Sequence, residues 1–213
     1  MPGAFQLPAF IDLGATFAFA LTGSLAALKR GYDIVGMFFL ALASGIGGGL
    51  IRDGIFIQGT SVTPLLTDPR YIEVIAAATI AGALFGREIK RFHRVVAVID
   101  ALGLGAYAAF GTQKSLQAGL AVPAAVLVGV INAAGGGLLR DIITGEEPLV
   151  FKPGQFYVLT AVAGAVTFVF LTVQLDVAAT PAALGAIALT FVFRALAIVF
   201  NWRTAPVSDL TAP

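Results

Sequence analysis

The sequence predicts an all-α membrane protein: seven transmembrane helices, arranged as two inverted three-helix repeats plus a seventh helix. Three observations lead there. Hydrophobic residues fill 58% of the 213 positions and charged residues only 12%, whereas soluble domains carry about 25% charged residues. With a mean hydropathy of +0.93, so much apolar surface needs lipid as its solvent. The second observation is that apolar stretches of spanning length recur along the chain with short connections. The third is a run that occurs twice: Gly47-Gly48-Gly49-Leu50-Ile51-Arg52-Asp53 and, 88 residues later, Gly135-Gly136-Gly137-Leu138-Leu139-Arg140-Asp141.

A transmembrane helix takes about 20 mostly apolar residues. Seven stretches qualify: 7–28, 34–57, 71–86, 95–112, 120–143, 156–175 and 181–201. They are too long and too uniformly apolar for barrel strands, which run to about ten residues with alternating polarity. The chain therefore reads as one transmembrane domain over 1–213, with repeat one at 7–86, repeat two at 95–175 and a seventh helix at 181–201. Basic residues set the direction. The segment 87–94 holds Arg87, Lys90, Arg91 and Arg94 against one acid, Glu88, and is expected in the cytoplasm. The N-terminus then lies outside and the C-terminus inside a prokaryotic inner membrane. Lys29, Arg30 and Arg203 agree with this, while Lys114 falls outside as a single charge. The first eight residues lack the basic region of a signal peptide, so the first apolar stretch reads as a retained span.

The repeat extends beyond the glycine run. Residues 11–53 align with 99–141 without a gap, with 13 identities in 43 positions. Asp12 falls on Asp100, Gly23 on Gly111, Gly31 on Gly119, Phe19 on Tyr107 and Ser24 on Thr112. After the run the match continues at a shift of 84, with Pro69 over Pro153. An odd number of spans returns the chain to the opposite side, so the second copy is upside down. Many transporters share this architecture, with their working site near the midplane at broken helices.

Glycine in a helix interior costs up to about 1 kcal/mol relative to alanine, so two triplets call for a reason. One is packing: Gly45 with Gly49 and Ala133 with Gly137 are small-xxx-small pairs that let backbones approach. The other is a kink or unwound turn at Gly47, Gly48, Gly49, Gly135, Gly136 and Gly137, whose freed carbonyls would face a polar path. Arg52, Asp53, Arg140 and Asp141 follow within about 10 Å of the span centre, at depths where charge faces the bundle interior. They read as gating charges at the two mouths or as internal salt bridges that fix helix positions. Asp12 and Asp100 sit near helix starts, where the macrodipole favours a carboxylate; cation attraction is the other role open to them. Ser44 and Asn132, again 88 apart, are candidates for polar lining or interhelical hydrogen bonds. Arg194 lies mid-run in the seventh span and needs a buried counter-ion among Asp12, Asp53, Asp100 and Asp141.

The composition also excludes. A net charge of +1 offers no basic excess for nucleic acid. There is no cysteine, and the single histidine, His93, sits in the basic segment, so no histidine or thiolate metal site is expected. No nucleophile or phosphate-loop context is present, so the chain does not read as an enzyme.

These motifs make the sequence resemble the prokaryotic trimeric intracellular cation channel (TRIC) family, also described as a glycine-transporter-like domain. The doubled Gly-Gly-Gly-x-x-Arg-Asp run, the paired Asp12 and Asp100, and the seventh span with Arg194 and Trp202 carry the resemblance. It implies a homotrimer with a pore in each subunit and conduction of monovalent cations, chiefly potassium. It also implies second and fifth spans hinged at the glycine runs. No cofactor is called for: the potassium ion is cargo, and membrane lipids, including a bound lipid, are compatible partners. The alternative is a secondary transporter for a small polar solute such as glycine.

Overall fold

The computed structural model describes residues 8–58, 63–90, 93–152 and 156–202, of which 64–65, 87, 89–90 and 93–97 are described by their backbone alone. Among these residues the elements are helical. They are α1 (Ala9–Arg30), α2 (Ile34–Ile51, continued by wider turns at Arg52–Ile57), the single turn α3 (Pro64–Thr67), α4 (Pro69–Lys90), α5 (His93–Gln117), α6 (Val122–Thr144), α7 (Tyr157–Val169, continued by wider turns at Phe170–Gln174) and α8 (Ala179–Val199).

Seven of these are long, and five (α1, α2, α6, α7 and α8, with the wider turns included) are apolar and long enough to cross a bilayer on length and composition alone. The other two, α4 and α5, have 22 and 25 residues. α4 carries Arg70 and Glu73 at its start and Arg87, Glu88 and Lys90 at its end. The basic segment 87–94, expected as a loop, is therefore largely two helix ends: α4 runs through Lys90 and α5 starts at His93. α5 also extends to Gln117, five residues past its expected end, which places Lys114 on a helix. Leu7, Arg91, Pro153 and Arg203 lie outside the described residues.

The packing follows the repeat. Within repeat one, α1 contacts α2 and α4; within repeat two, α5 contacts α6 and α7. Between repeats, equivalent helices meet: α1 packs on α5 and α2 on α6, as a two-fold relation requires. Phe19 and Tyr107, equivalent positions, stack on one another with centroids 5.3 Å apart and planes 7° from parallel. α8 lies outside the repeat and packs on α5 and α7.

The side chains are sorted for a membrane. Buried positions are dominated by alanine, among them Ala20, Ala27, Ala41, Ala78, Ala108, Ala133, Ala161 and Ala186. Large apolar groups point outward, such as Phe39, Leu84, Leu127 and Val199. Lipid is as apolar as leucine, so helices associate through close packing of small residues rather than by hiding large ones from water.

The turns after α1 and α5 are also equivalent. Gly31 and Gly119 adopt φ 78° and 86°, a left-handed conformation that costs a residue with a Cβ roughly 1–2 kcal/mol. Gly31→Ala and Gly119→Ala are each expected to lower stability by about 1 kcal/mol. Gly54→Ala, where nothing lies within 4 Å of the added carbon, should not. Thermal midpoints in detergent check the contrast.

Candidate functional site

The site is built on the crossing of α2 and α6. A Cβ on Gly48 would collide with the carbonyl oxygen of Asn132, and one on Gly136 would collide with that of Ser44. The two contacts exchange under the 88-residue shift. They also fix direction: moving forward from Ser44 to Gly48 on α2 moves backward from Gly136 to Asn132 on α6. The helices are therefore antiparallel, which demonstrates the inversion of the repeats. Around this point Gly135 faces the Gly48 Cα, and Gly47 packs on Leu139. The triplets bring two backbones into bare contact.

No turn is unwound at the triplets. Gly47, Gly48 and Gly49 and Gly135, Gly136 and Gly137 are all within continuous α-helix and buried. Of the two crossing helices only α2 departs from α-helix, one turn beyond its triplet. There Arg52–Ile57 adopts wider π-type turns closed by the Gln58 N–H on the Asp53 carbonyl, 3.0 Å. α6 stays α-helical to Thr144. The physical reason is that packed antiparallel backbones constrain the glycines, so their conformational freedom is not exercised in this state.

Two charge clusters flank the crossing, at opposite ends of the α2–α6 pair. In the first, Arg52 is 2% exposed. Its Nε and Nη2 donate to Asp53 at 2.7 and 3.0 Å, and its Nη1 donates to Asn132 Oδ1 at 3.1 Å. The guanidinium lies over the Phe110 ring, 5.4 Å from the centroid. Asp53 also accepts from Lys114 Nζ, 2.7 Å, and from the Thr63 hydroxyl. Asp12, buried in the first turn of α1, accepts from the Tyr71 hydroxyl. In the second cluster, Arg140 Nε and Nη2 lie 2.9 and 2.8 Å from Asp141 Oδ1, and Nη1 donates to Thr22 Oγ1 at 3.1 Å. Thr22 and Phe110, which receive the two arginines, are themselves equivalent positions.

Asp100 and Arg194 complete this second cluster. Asp100 is buried and lies in the fields of Arg140 and Arg194. Arg194 stacks over Tyr157, 5.0 Å from the ring centroid, and lies near enough to Asp100 for that carboxylate's charge to act on it. Asp100 lies two turns inside α5, not in its first turn, so the macrodipole reading fits Asp12 and fails for Asp100.

Asn132 joins three helices: it accepts from Arg52 of α2 and donates Nδ2 to the Tyr107 carbonyl of α5 at 2.8 Å. The Tyr107 hydroxyl donates to the Gly45 carbonyl at 2.6 Å. Ser44, its repeat partner, is fully buried, and its hydroxyl finds no partner among the described residues. Sequence reasoning missed Lys114, Tyr71, Thr63, Thr22 and Tyr107 as members. Only Tyr107 carries a signal, its alignment with Phe19; on sequence Lys114 falls on the outer side as a single charge.

Comparison with known proteins gives the identity of this arrangement. The model of the Glycine transporter family matches residues 9–87 and again 97–173. The chain belongs to this family. The two matches begin 88 residues apart, the repeat found above. A UPF0126 membrane protein of Deinococcus radiodurans is 31% identical over 159 residues, 73% of this chain and 72% of the relative. The UPF0126 inner membrane protein YadS of Escherichia coli is 27% identical over 195 residues, 91% and 93% of the two chains. Among solved structures, the TRIC trimeric intracellular cation channel orthologue from Rhodobacter sphaeroides is similar with TM-score 0.83 at 30% identity, over 90% of this chain and 97% of that one. A second structure, described as the basis for conductance through TRIC cation channels, gives 0.83 and 30% over 94% and 97%. The resemblance to prokaryotic TRIC channels is borne out. These relatives and structural neighbours are membrane proteins and channels, not enzymes.

The geometry has measurable consequences. Gly48→Ala and Gly136→Ala should each cost about 1–3 kcal/mol by overpacking against rigid backbone. Gly14→Ala, in open space, should be neutral or stabilising by up to about 1 kcal/mol. Asp53→Asn, which leaves Arg52 and Lys114 without their carboxylate, should cost about 3–5 kcal/mol. Chemical or thermal unfolding of the purified protein checks all four.

Proposed function

We propose that the chain is a potassium-permeable cation channel of a prokaryotic inner membrane, homotrimeric, with the pore of each protomer along the α2–α6 seam. The N-terminus is outside and the C-terminus in the cytoplasm. The observation that carries this reading is an antiparallel helix pair, one helix from each repeat, in backbone contact at its middle, with a charge cluster at each end. At Gly48 and Gly136 such a seam holds no interlocking side chains; Leu139 and Ile51 flank it, against Gly47 and Gly135. Parting the helices would uncover the Ser44 and Asn132 carbonyls, which meet Gly136 and Gly48 across the seam, oxygens able to replace part of a cation's water shell. The contact described above is the closed form, and the triplets act as hinges when the helices bend apart. Each arginine is already neutralised by its neighbouring aspartate, so neither presents a net positive barrier.

Further support comes from the TRIC cation channel structures, similar at 30% identity over at least nine-tenths of the chain. For orientation, the α1 C-terminus meets the loop after α6, where Lys29 and Arg30 approach Glu146 at 3.2 and 3.4 Å. The connection between α4 and α5 falls at this same end and carries the basic segment, which favours the cytoplasm.

A second reading, secondary transport of glycine or a similar solute, is favoured by the family's own description and by the inverted repeats. Purified protein in planar bilayers separates the two. Unitary current steps whose reversal potential follows the potassium gradient are expected. Saturable glycine flux without current steps would replace the channel with the transporter, and the absence of both activities would remove both.

A further inference from the structure

The first cluster holds two carboxylates, Asp12 and Asp53, and two cations, Arg52 and Lys114. The repeat carries three of these into the second cluster as Asp100, Asp141 and Arg140. It does not carry the fourth, because the position equivalent to Lys114 in repeat one is Ala26. With both carboxylates ionised and no further cation, the second cluster would bury one uncompensated negative charge. Removing one partner from a buried pair costs a large part of a domain's margin of stability.

We propose that Arg194 is a positioning residue that substitutes for the lysine missing at position 26, so that the seventh helix supplies the fourth charge of the second cluster. Four observations support this. α8 lies outside both stretches matched by the family model, 9–87 and 97–173, so it is additional to the doubled unit. It packs on α5 and α7, the helices that bear Asp100 and Tyr157. Arg194 is 4% exposed, lies over the Tyr157 ring and feels the charge of Asp100. Ala26 stands one turn beyond Thr22 on the same face of α1, and the Thr22 hydroxyl accepts from Arg140. A lysine at position 26 would therefore approach Asp141 as Lys114 approaches Asp53 at 2.7 Å. The position is partly buried, as Lys114 is, with 28% of its side chain exposed.

The inference makes a charge-relocation test possible that does not depend on whether the protein conducts ions or transports a solute. Arg194→Leu, Ala26→Lys with Arg194→Leu, and Ala26→Met with Arg194→Leu are compared with the parent chain, purified whole in detergent. The reading is the midpoint of heat-induced loss of the native assembly by size exclusion. Arg194→Leu should lower it by about 5–10 °C. Adding Ala26→Lys should recover at least half of that loss. Adding Ala26→Met, which brings a side chain of similar length but no charge, should recover none. If Arg194→Leu yields no folded protein, the return of folded protein with Ala26→Lys but not with Ala26→Met is the expected rescue. An unaffected Arg194→Leu variant, no rescue by Ala26→Lys, or equal rescue by Ala26→Met would each overturn the proposal and leave Arg194 a packing partner of Tyr157.

Discussion

The structure depends on a contact that has no side chain in it. Where α2 and α6 cross, the Gly48 backbone rests on the Asn132 carbonyl and the Gly136 backbone on that of Ser44, with no space for even one added carbon at either glycine. Everything nearby is arranged around this approach. It sets the antiparallel register of the two repeats, and it places Arg52 within reach of Asn132 across the seam. It also leaves the charged ends of the two runs pointing to opposite sides of the membrane. In lipid, where apolar side chains gain nothing by meeting each other, close approach of small residues is the available source of packing energy.

The buried charges follow from the same constraint. A charge inside the bilayer is costly and turns toward the bundle interior. Each arginine is chelated by the aspartate next to it in sequence, so the motif carries its own neutralisation. Asn132 shows how the two halves have diverged. It links α2, α5 and α6 through Arg52 and Tyr107, while Ser44, shorter in reach, leaves Arg140 to Thr22 instead. The wider turns at Arg52–Ile57 have no counterpart in α6. A symmetric scaffold thus carries an asymmetric pair of ends.

Much of the fold was legible because it is written in composition and repetition. Spans appear as apolar runs, and inversion follows from an odd number of them in a gap-free repeat. The glycine runs marked the site, since three consecutive glycines have no other use in a membrane helix than backbone contact or bending. What was not legible came from two sources. Helix ends drift when charges belong to the interior: Lys114 read as a surface charge past the end of a span, yet α5 continues beneath it and delivers it to Asp53. Partners supplied by other helices, such as Tyr71 for Asp12 or Thr22 for Arg140, carry no periodic or motif signal. The triplets read as packing positions or as a break, and two helices in mutual contact hold one another straight.

The most direct test of conduction along this seam uses the natural absence of cysteine. Ser44→Cys places one thiol beside the crossing, on the residue whose carbonyl meets Gly136 and whose side chain faces Gly23 of α1, at a position fully buried in this conformation. A pore that opens by separating α2 from α6 predicts that a small cationic thiol reagent modifies this introduced thiol while the channel conducts, stops the current on doing so, and leaves the thiol untouched under conditions that keep the current off. Sustained potassium current through a Ser44→Cys protein whose thiol never reacts would contradict the seam as the path.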